Sequence, residues 1–142
     1  MRRVEKNEEE WRRELNPAEY AICRCQGTEA PFTGRYWRTK TPGIYGCRCC
    51  GEPLFASTAK YDSGTGWPSF FQPLDQNKIE TREDKSHGMQ RVEVLCRACG
   101  AHLGHLFDDG PEPTGLRYCL NSASLTLAPD HSGDPTFFNI KS

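Results

Sequence analysis

The sequence has almost no charge imbalance: 18 basic residues face 19 acidic ones, a formal net charge of −1 at pH 7. That balance gives no electrostatic footprint for nucleic acid or for an anionic membrane surface. Long apolar runs are missing as well, and the longest fall far short of the ~20 residues a bilayer span requires. The N-terminal stretch MRRVEKNEEEWRRELNPAEY is charged and lacks the apolar segment of a secretory signal. A cytoplasmic chain is therefore expected, with neither nucleic acid nor membrane as a partner. Internal repeats and low-complexity tracts are also absent. At 142 residues the chain is long enough for one domain with a real core, and a monomer is expected.

Cysteine, by contrast, is abundant, with eight residues. In a reducing compartment such a set points to metal or catalysis before structural disulfides. Cys47 and Cys50 form one C-x-x-C pair and Cys96 and Cys99 another, each followed by glycine in CRCCG and CRACG. A metal knuckle needs a tight turn whose amides face thiolate sulfur, and glycine after the second cysteine permits it. Four thiolates suit a closed, tetrahedral, structural Zn²⁺ site, one per chain, contributing folding energy rather than chemistry. Two other readings exist: buried cysteines acting as small hydrophobes, or a redox C-x-x-C, which would need only one pair in a thioredoxin-like setting. Cys49 sits between the first two ligands and could in principle replace either. The long insertion between the pairs makes the site a clip between distant hairpins.

The expected order of elements is a short helical start followed by a mainly antiparallel β-domain. NEEEWRREL carries acids in its first turn and Trp11 and Leu15 on one face, as a helix requires. NPAEYAICRC restarts a helix with Asn16 as N-cap, Pro17 in the first position and Glu19 completing a capping box. From Gly27 on, Gly and Pro interrupt any helical period. GIYGCRC, RVEVLCRA, LRYCLNS and SLTLAP read as short strands. The expected boundaries are an N-terminal extension over 1–10, a domain over 11–128 and a tail over 129–142. In the tail, Phe137 and Phe138 either pin the chain to the surface or fray with it.

Three cysteines outside the knuckles, Cys23, Cys25 and Cys119, raise the question of reactivity. Upstream of Cys119, AHLGHLFDDG offers His102 and His105, which could converge on one point with Asp109 orienting an imidazole. Alone, such histidines are more often structural. Strand alternation places Arg117, Cys119 and Asn121 on one face, where a cation favours the thiolate form. The bland alternative makes Cys119 a core thiol alternating with Tyr118 and Leu120. In YDSGTGWPSFFQP, Trp67, Phe70 and Phe71 form either an apolar slot for a small methyl-bearing group or part of the core.

Three stretches together resemble the B-type methionine sulfoxide reductases, the enzymes of the R epimer. They are WRRELNPAEY with GTEAPFTGRYW, CRCCGEPLFASTAKYDSGTGWPSF, and SHGMQRVEVLCRACGAHLGHLFDDGPEPTGLRYCLNSASL. The resemblance implies two antiparallel sheets in a barrel-like arrangement with peripheral helices and a Cys₄ zinc clip. It implies Cys119 as nucleophile, His102 and His105 as acid and orienting groups, Asp109 and Asn121 in support, and Arg117 favouring the thiolate. Trp67, Phe70 and Phe107 would contact substrate, with Trp67 holding the ε-methyl group. Attack on sulfoxide sulfur would leave Cys119 as a sulfenic acid. Oxidised proteins would be the substrates, and thioredoxin or a similar dithiol the reductant.

One position departs from the family. Many members carry G-C-G-W-P-S-F, whereas this chain reads GTGWPSF, with Thr65 in place of the recycling cysteine. Cys25 and Cys23 are the candidate replacements. If the second helix continues through both, they lie about 200° apart around it, and accessibility favours Cys25. Cys49 is a weaker third, and direct attack by an external thiol is the remaining route. The rival from another class is a zinc-clipped binding module in which Cys119 is inert.

Overall fold

The computed structural model describes residues 3–129. Helix α1, Glu8–Glu14, is capped by Asn7, whose side chain accepts from the Glu10 amide while Glu10 returns the bond. Helix α2, Pro17–Cys23, repeats the device with Asn16 and Glu19. These reciprocal caps satisfy amides that such short helices would otherwise leave open. The expected i, i+4 pair is buried, Trp11 and Leu15 both facing the core. Arg24 covers the Trp11 ring at 4.3 Å. The second helix stops sooner than expected. Arg24 is its C-cap and Gln26 takes a positive φ of 62°, so Cys25 lies beyond the helix. Within the expected N-terminal extension, the Val4 amide donates to the Ala98 carbonyl at 2.7 Å.

The strands are β1 (Gly43–Cys47), β2 (Pro53–Ala56), β3 (Lys60–Tyr61), β4 (Ser69–Phe70), β5 (Ile79–Asp84), β6 (Arg91–Cys96), β7 (His102–Phe107), β8 (Arg117–Leu120) and β9 (Leu125–Pro129). They form two antiparallel sheets, one ordered β2-β1-β9 and the other β3-β4-β8-β7-β6-β5. The expected sheets and short helices are present. Among the described residues the sheets do not close into a barrel: β3 and β5 remain the two edges of the larger one.

Aromatic rings join the sheets. Phe55 of β2 meets Phe70 of β4 at 4.7 Å, and Tyr45 of β1 meets Phe70 at 5.2 Å. Phe55 also reaches Tyr118 of β8 at 5.6 Å. Phe70 is wholly buried in this cluster, so it is a core residue and does not line a substrate slot. Ring contacts of this kind add to the area each side chain buries.

Register decides what shares the opposite face of the larger sheet. Arg82 pairs with Glu93, Glu93 with His105, His105 with Cys119, Cys119 with Ser69 and Ser69 with Tyr61. Directly opposed residues project to the same side of a sheet. One row therefore carries an acid, an imidazole, a thiol and a hydroxyl side by side. Phe137, Phe138 and the expected tail lie outside the described residues, apart from Pro129, which ends β9.

Candidate active site

His102 and His105 are three apart on one strand, which ordinarily sends them to opposite faces. A bulge corrects the phase. Val94 pairs with Gly104 while the adjacent Leu95 pairs with His102, so Leu103 is the extra residue. Leu103 turns into the core and the two imidazoles meet at 5.5 Å. Each then finds its own carboxylate. His102 Nδ1 lies 2.8 Å from Glu93 Oε2, and His105 Nε2 lies 2.7 Å from Asp84 Oδ2. The sequence reading had assigned the orienting role to Asp109. Instead Asp109 is exposed and takes a two-pronged bond from Arg117, at 2.8 and 3.1 Å.

Burial lowers the pKa of His102, with Glu93 opposing. Its Nδ1 faces Glu93, and its buried Nε2 has no partner among the described residues. The hydrogen bond from His105 holds the Asp84 carboxyl well below the usual carboxylate range, helped by Ser86. An ionised carboxylate only accepts, so Nε2 of His105 is the protonated nitrogen. Arg91 also reaches Asp84, at 3.4 Å.

Beside these pairs, Cys119 lines a recess of about 220 Å³ with His105, Trp67, Phe107, Arg117 and Asn121. Gly104 lets β7 pass this close to β8, because a Cβ there would lie 2.0 Å from the Cys119 carbonyl oxygen. Trp67 and Asn121 are held through one residue, Glu29. Its carbonyl accepts from Trp67 Nε1 at 3.0 Å, and its amide donates to Asn121 Oδ1 at 3.0 Å. Its carboxylate accepts from the Ser122 and Ala123 amides. Arg117 stacks on Phe107 at 4.3 Å. Burial pushes the Cys119 thiol up, against the opposing charge of Arg117 and a hydrogen bond from Thr65. The expected help from Arg117 is present, but burial outweighs it.

A SelR domain model matches residues 15–129. Over 134 residues the chain is 59% identical to the peptide methionine sulfoxide reductase MsrB of Acinetobacter baylyi, covering 94% of this chain and 96% of that protein. It is 60% identical over the same length to the MsrB of Acinetobacter baumannii, with the same coverage. Identity to the MsrB of Pseudomonas aeruginosa is 58% over 132 residues, covering 93% of this chain and 100% of that protein. The chain belongs to the MsrB family. An MsrB is an oxidoreductase, and the face just described offers such an enzyme a thiol, two imidazoles and an apolar wall.

The MsrB domain also brings its two knuckles together. The sulfurs of Cys47, Cys50, Cys96 and Cys99 all lie within 4.8 Å of one another. Cys47 and Cys99 are 3.6 Å apart, Cys50 and Cys96 3.7 Å. A tetrahedron with metal–sulfur bonds of about 2.3 Å has edges of about 3.8 Å, so the set fits a metal ion. Gly51 and Gly100, with φ of 80° and 77°, turn each knuckle, and their amides bond back to Cys47 and Cys96. Cys49 falls outside this cluster of four and is buried beside Cys23.

The remaining thiols differ sharply in access. Cys23 is 1% exposed and faces Ala123 and Ser124. Cys25 is exposed and adjoins Gln26, which donates to Glu93 at 2.8 Å. Sequence reasoning missed Asp84, Glu93 and Glu29. A signal existed for Glu93: an acid centred in RVEV, a strand with a core-facing valine, is out of place unless something pairs with it.

Proposed function

We propose that the protein reduces the R epimer of methionine sulfoxide in oxidised proteins to methionine, with Cys119 as the nucleophile. The observation that carries this is the recess itself. Cys119 shares it with Trp67, Phe107 and His105, whose ring is backed by Asp84, in a chain of the MsrB family. The Cys119 thiolate attacks sulfoxide sulfur and the S–O bond breaks. Oxygen leaves poorly unless protonated; His105 lines the same recess, and as an imidazolium, with Nε2 held by Asp84, it supplies a proton from its other ring nitrogen. The oxygen leaves as water after a second protonation, and water then attacks the Cys119 sulfur and breaks the sulfur–sulfur bond to the substrate. In net terms a thiol and a sulfoxide become a sulfenic acid and a thioether, two electrons passing from Cys119 to the substrate. Trp67 takes the ε-methyl group and leaves oxygen toward the histidines, which accounts for preference for one epimer. The four-cysteine cluster holds structural Zn²⁺ and takes no part in the chemistry. The protein acts as a monomer, without nucleic acid or membrane.

A second thiol then attacks the sulfenic acid, releasing water and forming a disulfide that thioredoxin or another dithiol reduces. Cys25 is the internal candidate. Its neighbour Gln26 bonds to Glu93, which lies two strands from Cys119, about 10 Å at the usual strand spacing. A disulfide needs Cα atoms within about 7 Å, so Cys25 acts only if residues 24–28 shift. Turnover of separated R and S peptide epimers, with dithiothreitol and with thioredoxin, tests the whole reading. Reduction of R alone is expected with both reductants, and Cys25→Ser should lose only the thioredoxin-supported rate. Turnover of S, or of neither epimer, overturns the function. Undiminished thioredoxin recycling in Cys25→Ser leaves the enzyme standing and removes Cys25 as the resolving thiol.

A further inference from the structure

From the reading of this chain as a peptide reductase, we infer a binding trough for the substrate chain that favours an acidic residue near the methionine sulfoxide. The trough starts at the Cys119 recess and crosses β4 to the open edge of the sheet at β3. Thr65 and Arg117 line the Cys119 recess and also the next depression, which holds Tyr61, Asp62 and Pro111. Tyr61 and Asp62 in turn line a third recess of about 260 Å³, closed by Trp37, Arg38, Lys40 and Lys60. Each recess thus shares lining residues with the next along the path.

Register gives its length. Tyr61 pairs with Ser69 and Ser69 with Cys119, so β3 lies two strand spacings, about 10 Å, from the nucleophile. An extended peptide advances about 3.3 Å per residue. A residue roughly three positions from the methionine sulfoxide therefore reaches the third recess.

The charges there are unequal. Arg38 and Lys40 are exposed, and neither has a carboxylate partner among the described residues. Lys60 is fixed at the recess by donating to the Trp37 and Thr39 carbonyls, at 3.4 and 2.9 Å. Arg38 lies over the Trp37 ring at 5.5 Å, which holds its guanidinium at the rim. Against these three cations stands only Asp62. Nearer the nucleophile the charges already cancel, because Asp109 is paired with Arg117. The far end of the path is thus the one stretch with surplus positive charge, and a carboxylate side chain complements it.

The test uses the full chain and short peptides with a single methionine R-sulfoxide and Asp, Asn or Lys placed three residues before or after it. On one side, kcat/KM should be about fivefold higher for Asp than for Lys, the size expected of a screened surface ion pair. That ratio should shrink at about 0.5 M salt, and it should fall close to one in the Arg38→Gln/Lys40→Gln double variant. Equal kcat/KM for Asp and Lys peptides on both sides overturns the trough and leaves the reductase intact. So does a preference that survives in the double variant. Failure of every peptide to turn over removes the reductase reading, and the trough with it.

Discussion

Around Cys47, Cys50, Cys96 and Cys99 sulfur meets sulfur, whereas around Cys119 sulfur meets hydroxyl, guanidinium and aromatic ring. Both regions use β-strands to hold cysteine, and both bring together residues far apart in sequence. At the cluster each half is made locally, by a C-x-x-C turn closed with a positive-φ glycine, and folding only docks two finished halves. At Cys119 nothing is finished locally. The thiol comes from β8, the histidines from β7, their carboxylates from β5 and β6, and the aromatic wall from the loop before β4. A metal clip tolerates this separation because thiolate ligation is strong. A reactive thiol instead depends on every neighbouring strand being in register.

Replacing one cysteine in each region should separate their roles most strongly. Cys119→Ser is expected to lower turnover by about a thousandfold or more, since a hydroxyl is a far weaker nucleophile than a thiolate. Metal content and melting temperature should stay as in the parent. Cys96→Ala is expected to do the reverse first, losing the metal and the folding energy tied to it, with activity falling because the sheet no longer holds. Metal analysis alongside thermal unfolding and turnover decides it. A metal-free but fully stable Cys96→Ala protein would mean the cluster is not a clip.

The second contrast lies within the catalytic face, between two aspartates. Asp84 is buried against His105, while Asp109 is exposed on Arg117. Asp84→Asn should cut kcat roughly ten- to hundredfold, within the range for losing a positioned proton donor, and should change the pH profile of kcat. Asp109→Asn should cost only a few-fold. Equal losses in the two variants would return the orienting role to Asp109.

That contrast also shows where reading a sequence stops. Helix starts were legible because a capping box is complete within four residues, as at Asn16 and Glu19. The knuckles were legible for the same reason, and so were Arg117 and Cys119, which alternate on β8, while Asn121 just past its end lines the same recess. Asp109 was assigned wrongly because it is near the histidines in sequence, while Asp84 and Glu93 are near them only through strand pairing. The Leu103 bulge was equally hidden, since alternation alone separates His102 from His105. Phe70 was ambiguous between wall and core, and only the ring packing against Phe55 and Tyr45 decides for the core. Strand β5, rich in charge, carried no apolar signal and passed unnoticed along with its Asp84.

A further expected effect concerns Thr65, which stands where many relatives have cysteine. Thr65 lines the recess with Cys119 and holds the thiol's pKa down against burial, and its hydroxyl lies 2.7 Å from Ser63 Oγ, which lies 2.7 Å from Ser69 Oγ. Ser69 in turn can donate to the Trp67 carbonyl, at 3.1 Å. Each hydroxyl has one proton, so the chain has two consistent directions. With a thiol, Cys119 donates to Thr65 and the bonds run outward to the Trp67 carbonyl. With a thiolate they reverse, and Thr65 donates to sulfur. Removing the hydroxyl costs the thiolate a charge-assisted bond and the thiol only a weak one, so the thiol pKa, already raised by burial, must rise further. Thr65→Val should therefore move the pH profile of Cys119 alkylation upward by about one unit and slow the reaction near pH 7 by up to about tenfold. Thr65→Ser, which keeps the hydroxyl, should stay within about twofold of the parent. A Thr65→Val profile that overlays the parent would show that Arg117 alone offsets burial at this sulfur.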